Sequence, residues 1–563
     1  MKTGAELLHD SLANVGVRMI FGIPGSDTLP FYDELLKSQK IKHILVRHEQ
    51  AAVHAADGFY RVSGKIAATI STSGPGSTNL VTGLASAFAD SIPLISITIN
   101  TRTEHLGKGS FQEVDIVSIT KTVVKKNFQV TSAADIPTVI NEASMVAITR
   151  PQGPVLIDIP NDVLKEKTKF STSPYQTKEK ETKIHIDKDL LAKVLKIIAD
   201  SNRPVFLVGE GLIAEKSIGE FRKIIEKTKI PVATTVSGVG ILSEDHPLSL
   251  QVGGILGTSY ASLAIQNADA LIVMGTSLET RTTGDKALFA KNAKIIHIDM
   301  DSSKCGLFIN PDICVHMPIT EFIKGLNRYI VKSGFIEKKE WLGTISKWKK
   351  DMPLNYKSSG NHIKPQKVVE VLNSLAPDST LFVGNGLHKY WTMRYFTFKI
   401  PRQFNVSSRF GCMGFAFPGS IGAKLAEPKR QVIAIVGDGD FQMNIQELAT
   451  AVENNLDIKV IIVNNRALGA IYQHQHFSYQ DRFIGSYYNI DINFAKIAKA
   501  YGAKGERISK PSQIEHALKI MLNTKGVYVL EVMIRRDEYL LPKISTSDSL
   551  DKIYEMMENN DSL

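Results

Sequence analysis

Cysteine, tryptophan and long apolar runs are all scarce in this chain. Cys305, Cys314 and Cys412 are the three cysteines among 563 residues. Their spacing matches no metal site, and three are too few for a disulfide framework, so a reducing cytoplasm fits best. No apolar run approaches the ~20 residues that a membrane-spanning helix needs. The opening MKTGAELLHDSLANVG has no signal-peptide core. A net charge of +10 could draw anions. The lysines are nevertheless scattered, with no aromatic interleaving, which speaks against nucleic acid as a partner. No short-period repeat is visible. What is present is an ordinary globular composition, 43 % hydrophobic and 22 % charged, in a chain long enough for about three to four domains.

Strand patterns over 67–72, 93–99, 155–159, 204–208, 270–274 and 294–298 alternate with helical ones. That alternation predicts an α/β protein with three doubly wound, parallel-sheet domains. Two polar stretches divide it, 171–188 and 332–364, and in the second Trp341 and Trp348 predict a packed helix. The domains then cover 1–170, 188–332 and 366–563. The first and third look alike, each with a Gly-rich turn between strand and helix.

Residues 431–465, QVIAIVGDGDFQMNIQELATAVENNLDIKVIIVNN, read strand, tight turn, amphipathic helix, strand. A right-handed βαβ unit sets its strands parallel, so both carboxyl ends open onto one crevice. Asp438 and Asn465 then meet there as hard oxygen ligands. Gly437 and Gly439 let backbone N–H groups approach a diphosphate. Magnesium is usually held by one or two protein groups plus substrate phosphates, so the unit reads as a magnesium–diphosphate anchor. An EF-hand reading of Asp438 and Asp440 fails, because a strand precedes and a helix follows at once. The pair of GDG and NN at this spacing resembles the thiamine-diphosphate (ThDP) motif. That resemblance implies magnesium ligation by Asp438, Asn465 and the carbonyl of Ala467, with Asp440 and Gly469 at the cofactor. The family more often has Ser or Ala at 440, and a carboxylate there has to point away from the diphosphate.

In the first block, Glu49 follows the strand 43–46 and opens a helix. A Glu in a first helical turn can be simply a favourable charge near the dipole, and a catalytic carboxylate is the other reading. Ser73-Gly74-Pro75-Gly76-Ser77-Thr78-Asn79 forms a second Gly-rich turn, as a nucleotide or pyrimidine site needs. RHEQAAVHAADGFYR, STSGPGSTNLVTGLASAFADSIPLISIT, FQEVDIVSIT, RPQGPV, EDHPLSL and GDGDFQMNIQELATAVENN follow in order. Together, over nearly the whole chain, they resemble the catalytic subunit of acetohydroxyacid (acetolactate) synthase.

That resemblance implies a pyrimidine-binding domain, a central FAD-type domain and a diphosphate-binding domain. It also implies a homodimer or homotetramer with active sites shared between chains, and it admits a small regulatory subunit. In such a site Glu49 bonds the pyrimidine nitrogen of ThDP, with Pro75 and Asn79 beside it. Met413 holds the cofactor bent, an ordinary core methionine being the alternative. Gly386 and His388 contact the diphosphate, and Phe111 and Gln112 enter beside Glu49. Arg281 receives an acceptor carboxylate through its bidentate fork, with a structural ion pair as its alternative. Arg150, Gly254, Gly257, Gly275 and Asp299 match FAD-contacting segments, and a vestigial central domain is the other possibility.

The implied reaction decarboxylates pyruvate and transfers the two-carbon unit to a second carbonyl, the cofactor supplying the difficult chemistry. Departures from the family gather at the acceptor: His474 for a Trp, Ala470 for a Met, Ile255-Leu256 for Met-His, Ser26-Asp27 for Gly-Ala, and Asn161 for a Lys. They leave two acceptors open. One is pyruvate or 2-oxobutyrate, as in branched-chain amino acid biosynthesis. The other is a nucleotide-linked keto-sugar, as in branched-sugar (yersiniose-type) biosynthesis. A 2-oxo acid decarboxylase releasing aldehyde and a noncatalytic regulatory homologue are the rival readings.

Overall fold

A computed structural model describes residues 1–169, 187–357 and 360–553. The expected polar divider at 171–188 lies almost wholly outside the described residues, as does the end of the chain. Three six-stranded sheets, every neighbouring pair parallel, occupy the described chain in succession. The first runs Lys42–Leu45, Met19–Gly22, Ala68–Thr72, Ile95–Asn100, Val155–Pro160, Lys126–Gln129 from edge to edge. The third runs Phe404–Asn405, Thr380–Val383, Val432–Gly437, Ile458–Asn464, Tyr528–Met533, Lys504–Ile508. Numbered within each unit, both follow the order 2-1-3-4-6-5, so their likeness is topological and extends well beyond the Gly-rich turns. The central sheet follows 3-2-1-4-5-6, the order found where dinucleotides bind. The strands are apolar on both faces because helices cover both; Ile433, Ala434 and Ile461 are all 0–1 % exposed.

The first and third units meet along two helices, Glu49–Ser63 and Ala416–Ala426. Glycine allows the contact. A Cβ on Gly58 would fall 2.0 Å from the carbonyl oxygen of Gly419, and one on Gly422 only 1.8 Å from that of Ala55. The backbones therefore touch directly, and the start of the Glu49 helix is held against the third unit.

Three details differ from the sequence reading. The helix expected after GDG is two, Asp438–Gln442 and Glu447–Glu453, since the first turn must re-aim before the second can pack on the sheet. Cys305 and Cys314 are joined by a disulfide, contrary to the expectation from cysteine number: the loop leaving strand Lys294–Asp299 returns Cys305 to a Cα–Cα distance of 6.2 Å from Cys314 on the neighbouring strand. Trp341 and Trp348 do lie on one helix, Lys339–Asp351, edge to face at 5.5 Å. Among the described residues no helix is long and apolar enough to cross a membrane.

Candidate active site

The strands Val432–Gly437 and Ile458–Asn464 are hydrogen-bonded neighbours, with Gly437 opposite Val463. That register brings Asp438 and Asn465 to one edge, where both line a cavity of about 320 Å³. Its walls also include Gly386, His388, Met413, Gly437, Gly439, Ala467 and Gly469. Burial holds the Asp438 carboxyl above the usual range, at about 7, against the lowering effect of backbone N–H groups at Gly439 and Ala467. A cation beside it would reverse that shift. Asn465 Oδ1 accepts from the Ala467 N–H at 3.1 Å. One carboxylate, one amide oxygen and one carbonyl form a hard donor set that leaves room for phosphate oxygens, as magnesium requires. Among the described residues no cluster of three or more His, Cys, Asp or Glu is poised to hold a metal, so a cation here depends on the cofactor's own oxygens.

The glycines of this edge are close approaches. A Cβ on Gly439 would strike Tyr488 Oη at 2.7 Å and Leu468 at 2.9 Å, and one on Gly469 would strike Asn465 Nδ2 at 2.7 Å. Met413 stands between Gly411 and Gly414, whose φ values of +69° and +82° let the loop turn its side chain into the cavity. The His388 imidazole is buried, held neutral with its pKa pushed down to about 3 by desolvation, and its Nε2 has no partner.

Asp440 lines the same cavity, and its Oδ2 is buried without a hydrogen-bond partner. Its Oδ1 accepts from the backbone N–H of Gly414 at 2.9 Å and of Asn385 at 3.3 Å. The carboxylate thus ties the GDG turn to the Met413 loop. Lys389 stands behind it, bonded to Asn385 Oδ1 at 2.9 Å. Asn385, Lys389 and Trp391 were missed in the sequence. The available signal was Gly384-Asn385-Gly386 after strand Thr380–Val383, a third strand–turn–helix junction at the same sheet edge.

Glu49 begins the helix Glu49–Ser63, capped by His48 Nδ1, which accepts from the Gln50 N–H at 3.2 Å. It is 7 % exposed. Its Oε2 accepts from Asn79 Nδ2 at 2.9 Å, and Oε1 lies 3.4 Å from where a Cβ on Gly76 would be. The two expected motifs of the first unit therefore converge, Asn79 and the turn at Pro75 against Glu49. Gln112 adopts φ +57° with its backbone against Gly74, whereas Phe111 is 88 % exposed. Glu49 does not line the Asp438 cavity of its own chain.

Arg281 lines that cavity at its rim, and Ala470 and Ile471 form another wall. His474, one turn further along the helix Gly469–Tyr479, is exposed, bonds Ser478 through Nδ1 at 3.3 Å and does not line the cavity. Asp27 and Asn161, both departures from the family, are hydrogen-bonded to each other beside Ser73. The FAD-matched residues do not share one space. Arg150 and Asp299 line one cavity and Gly257 another. Gly254 and Gly275 are spent on backbone contacts with Arg281 and Gly211.

The chain matches the N-terminal TPP-binding domain of thiamine pyrophosphate enzymes over residues 2–119, their central domain over 191–326 and their C-terminal TPP-binding domain over 384–532. It is 39 % identical to a probable acetolactate synthase large subunit of Methanocaldococcus jannaschii over 95 % of this chain and 93 % of that protein. The acetolactate synthase large subunit of Lactococcus lactis is 36 % identical over 96 % and 94 %, and a chloroplastic acetolactate synthase of Zea mays 36 % over 96 % and 87 %. With the site just described, these place the molecule among the ThDP-dependent enzymes of the transferase, carboligase type. Within that class the chain belongs to the acetolactate synthase large-subunit family.

Proposed function

We propose that this protein decarboxylates pyruvate and joins the two-carbon unit to a second carbonyl compound. The observation that carries the reading is the single cavity in which Asp438, Asn465 and Ala467 face Met413, with Arg281 at the rim. Bound ThDP would supply the thiazolium carbon that accepts the donor and releases carbon dioxide. Asp438, Asn465 and the Ala467 carbonyl would hold the magnesium of its diphosphate; Gly437, Gly439 and Gly469 would let the backbone approach; His388 and Gly386 would close the phosphate end. Met413, which lines the cavity, would pack against the bound cofactor. Glu49, kept in place by Asn79, would offer its carboxyl to the pyrimidine ring. Since Glu49 does not line its own chain's cavity, we assign the complete site to two chains, Glu49, Phe111 and Gln112 from one and Asp438 from the other, in a homodimer or homotetramer acting in the cytoplasm. A small regulatory subunit is compatible with the family. The three units are assigned to 1–170, 188–332 and 366–563.

Arg281 offers a guanidinium fork to an acceptor carboxylate, which favours pyruvate or 2-oxobutyrate. A second reading rests on the opened wall at Ala470 and the polar pair Asp27–Asn161. These suit a bulkier, hydroxylated acceptor such as a nucleotide-linked keto-sugar. Product analysis with pyruvate alone, with 2-oxobutyrate and with a nucleotide-linked 4-keto-sugar separates the readings. A branched product is expected with at least one acceptor, and acetaldehyde as the sole product in all three would refute carboligation.

A further inference from the structure

The order 3-2-1-4-5-6 of the central sheet is the one that elsewhere binds dinucleotides at the carboxyl ends of its middle strands. There the diphosphate lies against the glycine turn after the first strand, where bare backbone admits negative charge. In this chain the turn is Gly209-Glu210-Gly211, after strand Pro204–Val208. Both glycines are used for backbone contact within the protein. A Cβ on Gly209 would lie 2.7 Å from the Gly275 carbonyl oxygen, and one on Gly211 2.5 Å from Gly275 Cα.

Between them Glu210 brings a carboxylate to the place a diphosphate would take. Its Oε1 is buried, has no hydrogen-bond partner and lies 3.9 Å from the Arg409 guanidinium. Arg409 enters from the third unit and donates to Ser277 Oγ at 2.7 Å. Its root is fixed by Asp90 of the first unit, which accepts from the N–H groups of Ser408 and Arg409 at 2.8 and 3.0 Å. Arg402 faces the same carboxylate across a cavity of about 10 Å³.

This charged junction lies between the two spaces that hold the FAD-matched residues: the small cavity at it shares Val236, Ser237 and Ser408 with one, and Glu210 and Arg402 with the other. One, with Gly257, Ser277 and Arg281, measures about 40 Å³. The other, with Arg150, Asp299 and Lys304, measures about 80 Å³. The same chain keeps about 320 Å³ open for ThDP, and FAD is the larger molecule. The residues present do not fit a flavin dinucleotide. We propose that the central unit binds no flavin: the Glu210–Arg409 pair, with Arg402 and Asp90, closes the dinucleotide channel and braces the three units against one another.

The full-length protein, purified from a flavin-replete host, is expected to lack flavin absorbance and to release no flavin on denaturation. Calorimetry should show Mg–ThDP binding but no FAD binding by the same preparation. The double variant E210G/R409G reopens the channel and is expected to bind FAD at least about tenfold more tightly than the parent, with ThDP binding as the control for its fold. Stoichiometric flavin on the wild-type chain overturns the proposal. So does a double variant that binds ThDP normally and FAD no better than its parent. Neither readout depends on which acceptor the enzyme uses.

Discussion

Asp438 is a buried carboxylate in a crevice without a protein cation to neutralise it, and its raised pKa of about 7 records that isolation. On the proposed reading magnesium would offset that desolvation, so ligand and metal affinity would rest heavily on this one side chain. Asp438→Ala is expected to weaken Mg–ThDP binding by about 100-fold or more, near 3 kcal/mol; calorimetry on a variant with unchanged melting would measure it, and unaltered affinity would remove Asp438 from the site.

Glu447 is a second residue held out of its ordinary range. It is 0 % exposed and accepts from the Arg47 N–H at 2.9 Å and Thr450 Oγ1 at 2.6 Å, joining the segment before Glu49 to the third unit. Burial pushes its pKa up to about 7. The folded state therefore holds its proton more tightly than the unfolded state, whose pKa is near 4.5. Stability from this group is full below about pH 4.5 and is lost as the pH rises through about 7, by up to about 3 kcal/mol. Glu447→Gln mimics the protonated form. Its melting temperature relative to wild type is expected to rise between pH 5 and pH 8, a trend that thermal melts across that range would reveal.

At the scale of elements, the approach of the helices Glu49–Ser63 and Ala416–Ala426 is set by backbone on backbone. Gly58→Ala has no flexible neighbour to displace, so it is expected to destabilise by about 1–3 kcal/mol and to lower activity by tilting the helix that begins at Glu49. Gly343 is the contrast: it lies mid-helix in Lys339–Asp351 with nothing within 4 Å of an added Cβ. Gly343→Ala is expected to stabilise by up to about 1 kcal/mol. Urea unfolding of both variants checks the pair, and the same sign for both would contradict the packing account. The strands of these units were legible because each is an apolar run bounded by turn residues. The break between Asp438–Gln442 and Glu447–Glu453 was not, since residues 443–446 carry no proline or glycine and are set aside only by the need to pack on the sheet.

At the scale of the molecule, Glu49 and the Asp438 cavity lie on units that touch in one chain, yet Glu49 does not line that cavity. A site completed by a second chain makes a quantitative prediction. Glu49→Ala and Asp438→Ala should each be inactive. Co-assembled in equal amounts, they should recover about a quarter of wild-type activity, because half of the sites in the mixed half of the dimers are intact. No recovery, in assemblies shown by mass to be mixed, would place each site within one chain.

The amino-acid sequence alone determined the cofactor class and the sheet architecture. Local spacing suffices for both: an apolar run, Gly-Asp-Gly, a helix, a second run and Asn-Asn already fix which groups meet at a strand edge. Glu49 and Asn79 belong to the same kind of inference, each at a strand–turn–helix junction. The tertiary structure decided matters that depend on side chains brought together from distant segments. It turned Asp440 onto Gly414 and Asn385, left His474 outside the cavity and paired Asp27 with Asn161. It also placed Arg409 of the third unit and Asp90 of the first against the Glu210 turn. A glycine turn after a strand looks the same in sequence whether its concave face receives a phosphate or a neighbouring backbone. Only the packing of Gly275 against Gly211 tells the two apart.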